Sequence, residues 1–253
     1  MSKAYHSIAA RTDAPLFIFG DHSSDHIPDK FDGLGLSGQD RARHIAVDIG
    51  TEGVIRALCK AFGCAGHLAG VSRLVIDCNR DLAAKGLIAE ISDESPVPGN
   101  QNLTAAQKQS RIAQIYSPYH DALGTAIEHC LQNTRDPLII SIHSFTPQLR
   151  GGEKRPVEIG FLVKADPDSS RDAMAEFATI SMNYNVGYNE PYSAWDLNHT
   201  VDVHVTARGL RHLNIEIRQD LITTPQQQAH MADILSRIIG PVMRKQPAAP
   251  RPY

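Results

Sequence analysis

The chain has 253 residues, 42% of them hydrophobic and 21% charged, with a formal net charge of -3. These values are ordinary for a soluble globular protein with a sizeable core, and they exclude a disordered chain or an extended coiled coil. No block of Lys and Arg forms a basic stripe, so nucleic acid is not an expected partner. No apolar run approaches the ~20 residues that span a bilayer, and residues 1–11 lack the apolar stretch of a signal peptide, so a cytoplasmic location with no membrane partner is expected.

In chain order, short apolar runs at 16–19, 74–76, 138–142, 159–163 and 213–217, rich in β-branched or aromatic residues, predict buried strands. Stretches with helical apolar spacing at 45–62, 105–131, 171–184 and 226–242 predict helices. The alternation predicts an α/β three-layer sandwich, a mixed β-sheet with helices on both faces. Thr224 is placed to cap the last helix, with Pro225 in its first turn. Beyond it the tail from about 244, rich in Pro and basic residues, is expected to fray. The polar loops at 93–99 and 151–156 are too short for domain linkers, so one domain spanning 1–253 is expected. Cys59, Cys64, Cys78 and Cys130 form no CxxC pair and are expected to be buried, inert thiols. The GxGxxG match at 33–38 follows a polar segment rather than a strand, which argues against a dinucleotide site.

Two predicted strands run into histidine. Residues 16–20 lead into Asp21-His22, and 138–142 into His143-Ser144. Ligands collect at strand ends of open α/β sheets, and two imidazoles leaving neighbouring strands can share one zinc. A third ligand would come from Asp25, in His22-Ser-Ser-Asp25, or from Asp48, near the start of the helix predicted from around His44. A hydrogen-bonded structural histidine is the simpler alternative for each ring alone; the pairing at two strand ends favours metal.

Glu216, in Asn214-Ile-Glu216-Ile-Arg218, is a carboxylate inside an otherwise apolar strand. Burying it is costly unless it is paired or used. The chemical reading is a general base whose pKa is tuned by burial beside a metal, and an edge-strand glutamate facing solvent or pairing with Arg218 is the plainer alternative. Ser72-Arg73-Leu-Val-Ile-Asp77-Cys-Asn79-Arg80 places two guanidinium groups and an amide around one short segment, a clamp for an acidic substrate. Ion pairs with Asp77 or Asp81 are the plainer alternative there.

Asp21-His22 with Ile27-Pro28, Arg43-His44-Ile-Ala-Val-Asp48-Ile-Gly50, the Ser72–Arg80 block, Asn189-Glu-Pro-Tyr192-Ser193 and Ile215-Glu216-Ile-Arg218-Gln-Asp220-Leu-Ile222 together resemble the N-formylglutamate amidohydrolase family. Ile142-His143-Ser144, Asp77-Cys-Asn79-Arg80 and Glu216-Ile-Arg218 are more distantly similar to elements of zinc carboxypeptidases, which implies a fold of that kind. The resemblance implies one Zn2+ per chain, with another divalent metal as the alternative. His22 and His143 become its ligands, Glu216 the general base, Arg73 an oxyanion donor, and Asn79 and Arg80 the holders of a substrate carboxylate. The carboxypeptidase third ligand, a Glu three residues after the first His, is missing here; Asp48 is the preferred substitute and Asp25 the reserve. Asn189, Tyr192, His204 and Arg208 are expected to line the substrate pocket. The implied reaction is hydrolysis of a small acidic N-acyl amino acid, N-formyl-L-glutamate foremost. Another N-acyl amino acid or a peptide C-terminus is the alternative substrate, and a non-catalytic carboxylate binder the alternative class.

Overall fold

The computed structural model describes residues 3–180 and 183–245. The elements in order are β1 (Tyr5–Ile8), β2 (Leu16–Gly20), α1 (Gly38–Arg41), α2 (Thr51–Phe62), β3 (Ala65–Ala69), β4 (Ile91–Ser92), β5 (Ser95–Pro96), α3 (Ala105–Arg111) and α4 (Ser117–Asn133). They continue with β6 (Leu138–Phe145), β7 (Ile159–Leu162), α5 (Pro167–Thr179), β8 (Val186–Tyr188), α6 (His199–His204), β9 (Arg211–Arg218) and α7 (Pro225–Arg244). A π-helical turn, Ile112–Tyr116, joins α3 to α4.

Among the described residues, seven strands form one mixed sheet in the order β1-β3-β2-β6-β9-β7-β8. The central strands β3, β2, β6 and β9 run parallel, β1 pairs antiparallel with β3, and β7 pairs antiparallel with β9 and parallel with β8. Every residue of β2, β6 and β9 is buried, as expected of parallel strands covered on both faces. Side chains alternate across a strand. Leu16 and Ile18, Leu138, Ile140 and Ile142, and Leu213, Ile215 and Ile217 therefore face one way, packing with α2, α5 and α7. Phe17, Phe19 and Ile139 face the other, against Tyr119, Leu123 and Ile127 of α4. The same parity turns His143 and Glu216 away from the α2/α7 core and toward the α4 layer. The architecture is thus the expected α/β sandwich with helices on both faces.

The predicted strand at 74–76 is a buried turn instead. Its carbonyls are taken by side chains: Asn100 Nδ2 donates to Leu74 O at 2.8 Å, and Arg111 Nη1 to Val75 O at 2.8 Å. Those bonds satisfy backbone groups that a sheet would otherwise have paired. The helix predicted from 45 begins only at Thr51, because Gly50 before it is left-handed (φ 83°). A Cβ there would lie 2.1 Å from Ile222 O, so only glycine lets this loop close against the segment after β9. The helix predicted at 171–184 spans Pro167–Thr179, started by the Asp166 cap; residues 181–182 lie outside the described residues. Thr224 caps α7 as expected, in a capping box with Gln227. The expected fraying beyond 245 falls on residues outside those described. No helix among the described residues is long and apolar enough to cross a membrane.

Candidate metal centre and catalytic cleft

His22 follows directly from β2, and His143 lies in β6, the strand paired with β2. Asp48 comes from the loop that Gly50 closes. These three residues are buried, and each offers a ligand atom within 4.8 Å of the others. Asp48 Oδ2 is 2.9 Å from His143 Nδ1 and 3.4 Å from His22 Nδ1. The Ser144 backbone N–H also donates to Asp48 Oδ2 at 3.3 Å, and Ser144 Oγ donates to Ile49 O at 2.9 Å, so β6 grips the Asp48 loop from both sides.

Each imidazole has a second carboxylate behind it. His22 Nε2 lies 2.7 Å from Asp77 Oδ1, and His143 Nε2 lies 3.5 Å from Asp21 Oδ2. Burial pushes the Asp48 carboxyl upward, yet the neighbouring His22 and His143 hold it far below the usual carboxylate range. Burial likewise acts to lower His143, but Asp21 and Asp48 outweigh it and raise the ring well above its ordinary value. So much charge in a dry place is stable only when mutually compensated.

The group fits a divalent cation. Two imidazole nitrogens and one carboxylate oxygen converge, and His22 Nδ1 is buried with no hydrogen-bond partner among the described residues. Two nitrogens and an oxygen suit zinc and leave a coordination position open, as catalytic sites require. Asp25, the reserve third ligand, is exposed and lies outside the group, because the chain bends outward after Ser23.

Glu216 sits in β9 directly opposite His143 of β6. It is 7% exposed and its Oε2 lacks a hydrogen-bond partner among the described residues. Burial raises its carboxyl to about 7. A carboxyl poised near neutrality is matched to taking and returning a proton.

Arg73 donates to Asp77 Oδ2 at 2.8 Å and to Asp48 Oδ1 at 3.3 Å. The plainer expectation of an ion pair with Asp77 is therefore met, but the same bonds aim the guanidinium at the ligand group. Arg80 Nε stands 4.0 Å from Asp77 Oδ2 with its side chain 31% exposed, which leaves donors open. Asn79 Oδ1 accepts the Thr200 backbone N–H at 3.0 Å, which turns its amide nitrogen away from that bond.

These residues line one cavity of about 180 Å³, walled by His22, Asp48, His143, Glu216, Arg73, Asn79 and Arg80, with His44, Ser144, Phe145, Thr146, Tyr192 and Leu197 completing it. Tyr192 is held by Arg155, whose Nη1 donates to its hydroxyl at 2.8 Å.

The family model for N-formylglutamate amidohydrolase matches residues 14–223. This chain belongs to the N-formylglutamate amidohydrolase family. A gene product of Agrobacterium tumefaciens is 33% identical, with 95% of each chain covered and a TM-score of 0.90. An N-formylglutamate amidohydrolase from Ralstonia eutropha JMP134 is 23% identical, covering 96% of this chain and 99% of its own, with a TM-score of 0.73, and so shares the fold. No curated protein matches. Membership of the family points to an amidohydrolase.

Three residues expected in the pocket of this family member do other work. Asn189 bridges Val163 N and O at 2.8 and 2.9 Å, tying the loop after β8 to the end of β7. His204 is packed on α4, its Nε2 2.9 Å from His120 Nδ1. Arg208 pairs with Glu128 at 2.8 Å and bonds His204 O at 2.9 Å, closing α6. None of them lines the cavity. His44, in the Arg43-His44 block, does line it. So does Phe145, one residue beyond Ser144, which carried no chemical signal in the sequence.

Proposed function

We propose that this protein hydrolyses the amide bond of a small N-acyl acidic amino acid, with N-formyl-L-glutamate as the leading substrate and zinc as the leading metal. The observation that carries the reading is the juxtaposition, in one cavity, of the His22, Asp48 and His143 group with the buried Glu216, whose Oε2 has no hydrogen-bond partner among the described residues. A divalent ion in that group supplies Lewis acidity, which makes water nucleophilic near neutral pH and polarises a carbonyl.

The chain's own residues supply the rest. Glu216 Oε2 accepts the proton of the attacking water and delivers it to the departing amine nitrogen. Arg73, aimed by Asp77 and Asp48, donates to the oxygen on which negative charge develops. Asn79 and Arg80 hold a substrate carboxylate; a neutral analogue leaves that guanidinium unsatisfied in the bound state, which selects against it. A cavity of about 180 Å³ suits a small amino-acid derivative. The products are formate and glutamate.

The test is metal content together with formate release from N-formyl-L-glutamate and from a panel of other N-acyl amino acids, for the natural sequence and for His143→Ala. About one zinc per chain with activity, both lost in the variant, supports the reading. A folded protein that stays inactive across the panel with added zinc overturns it.

A further inference from the structure

Asp21 is a buried carboxylate with no place in the cavity. It is 2% exposed, in a layer where an unpaired charge is strongly unfavourable. Its Oδ1 receives the hydroxyl of Tyr119 at 2.6 Å, and Tyr119, from α4, is fully buried with its ring 4.7 Å from that of His67. The other oxygen, Oδ2, has no hydrogen bond among the described residues and lies 3.5 Å from His143 Nε2.

The two nitrogens of His143 therefore face two different carboxylates. Nδ1 faces Asp48, on the side where His22 Nδ1 also points, and Nε2 faces Asp21 on the other. A neutral imidazole carries one N–H, and the partner at one nitrogen decides whether the other offers a lone pair. For His22 that partner is Asp77, which also serves Arg73. Asp21 has no arginine partner among the described residues and does not line the cavity, so contact with substrate does not account for it.

We infer that Asp21, held in place by Tyr119, is a positioning residue that keeps the His143 proton on Nε2 and so presents the Nδ1 lone pair to the cation. The inference rests on the metal reading given above. Asp21 is not itself a ligand, since it stands behind the ring rather than in the converging group.

The experiment is zinc affinity, measured by competition with a chromophoric chelator on the full chain. It is joined by long-range 1H–15N NMR of the zinc-loaded imidazoles and by circular dichroism to confirm folding. Asp21→Asn is expected to bind zinc roughly 10–100-fold more weakly. Tyr119→Phe, which keeps the buried ring and removes only the hydroxyl, is expected to bind several-fold more weakly, and the double variant no more weakly than Asp21→Asn alone. The natural protein should show His143 protonated at Nε2. Folded variants with natural affinity, or a His143 protonated at Nδ1, overturn the inference while leaving the metal reading intact. A natural protein that binds no zinc overturns both. If Asp21→Asn does not fold, Tyr119→Phe and the NMR tautomer decide the matter.

Discussion

His143 and Glu216 are register partners on the adjacent parallel strands β6 and β9. The ring proposed to bind the metal and the carboxylate proposed as the base are thereby set side by side on one face of the sheet by backbone pairing alone. Glu216→Gln preserves shape and removes the ability to accept a proton. Steady-state kinetics should show kcat reduced about 10²–10⁴-fold, while elemental analysis finds the same metal content. The acid limb of the natural pH profile should fall at or below about 7, because burial raises the carboxyl to about 7 and a nearby cation only favours its ionised form. Unchanged turnover in the variant would remove Glu216 from the mechanism.

Removing His22 or His143 as alanine takes away one of the two ring nitrogens proposed to bind the metal. Equilibrium dialysis should show zinc binding lost in either variant. The natural protein should melt higher with zinc than after chelation, since a ligand at 100 times its Kd stabilises the native state by about 2.7 kcal/mol. Equal melting curves for the natural protein in zinc and in chelator would contradict a metal held by this group.

Gly50 closes the Asp48 loop at φ 83°, where a Cβ would sit 2.1 Å from Ile222 O. Gly50→Ala meets both backbone strain and a clash with main chain, which does not yield as a flexible side chain does. Chemical denaturation should show a loss of about 2–4 kcal/mol, accompanied by weaker zinc binding as Asp48 shifts. A variant as stable as the natural protein would mean that the loop relaxes elsewhere.

Arg80 is loosely tied, 4.0 Å from Asp77, and 31% exposed at the cavity. Arg80→Ala should therefore leave thermal stability within about 0.5 kcal/mol. It should raise KM for N-formyl-L-glutamate by roughly 10–100-fold through loss of a charge-assisted pair. Uniform losses across acidic and neutral N-formyl amino acids would show that Arg80 does not read the carboxylate.

His67 is fully buried between Tyr5 and Tyr119, both ring nitrogens lack a hydrogen-bond partner among the described residues, and burial lowers its pKa to about 4. Between about 4 and the ordinary 6.5 the unfolded chain binds more protons than the folded one, so stability rises with pH across that window. The stability is lost as pH falls, by about 2 kcal/mol at pH 5 from this residue. Denaturant melts at pH 5 and 7.5 should show a flatter pH dependence for His67→Phe. An identical slope would locate the acid sensitivity elsewhere.

Much of the sheet was legible because its central strands are apolar on both faces. Runs such as Leu16-Phe-Ile-Phe19 and Leu138-Ile-Ile-Ser-Ile142 have no other stable home than a covered parallel sheet. The strands that escaped notice lack that signature. β3 reads Ala-Gly-His-Leu-Ala, small and mixed, and β1 reads Tyr-His-Ser-Ile; both are strands because a neighbour supplies the ladder. The run Leu74-Val-Ile76 erred in the other direction. Its composition says strand, but Asn100 and Arg111, distant in the chain, claim its carbonyls.

The sequence by itself determined the chemistry available: two histidines leaving strands, a carboxylate isolated among apolar residues, and two arginines with an asparagine. Local pattern reaches that far because strand alternation and helix capping depend on residues close together in the chain. Tertiary structure alone decided which groups meet. It brought Asp48 rather than Asp25 to the two histidines, placed Asp77 behind His22 and Asp21 behind His143, and set His204, Arg208 and Asn189 outside the cavity. Those outcomes depend on strand order and on the path of loops between strands, and a carboxylate's partner at 3 Å leaves no mark in the sequence beside it.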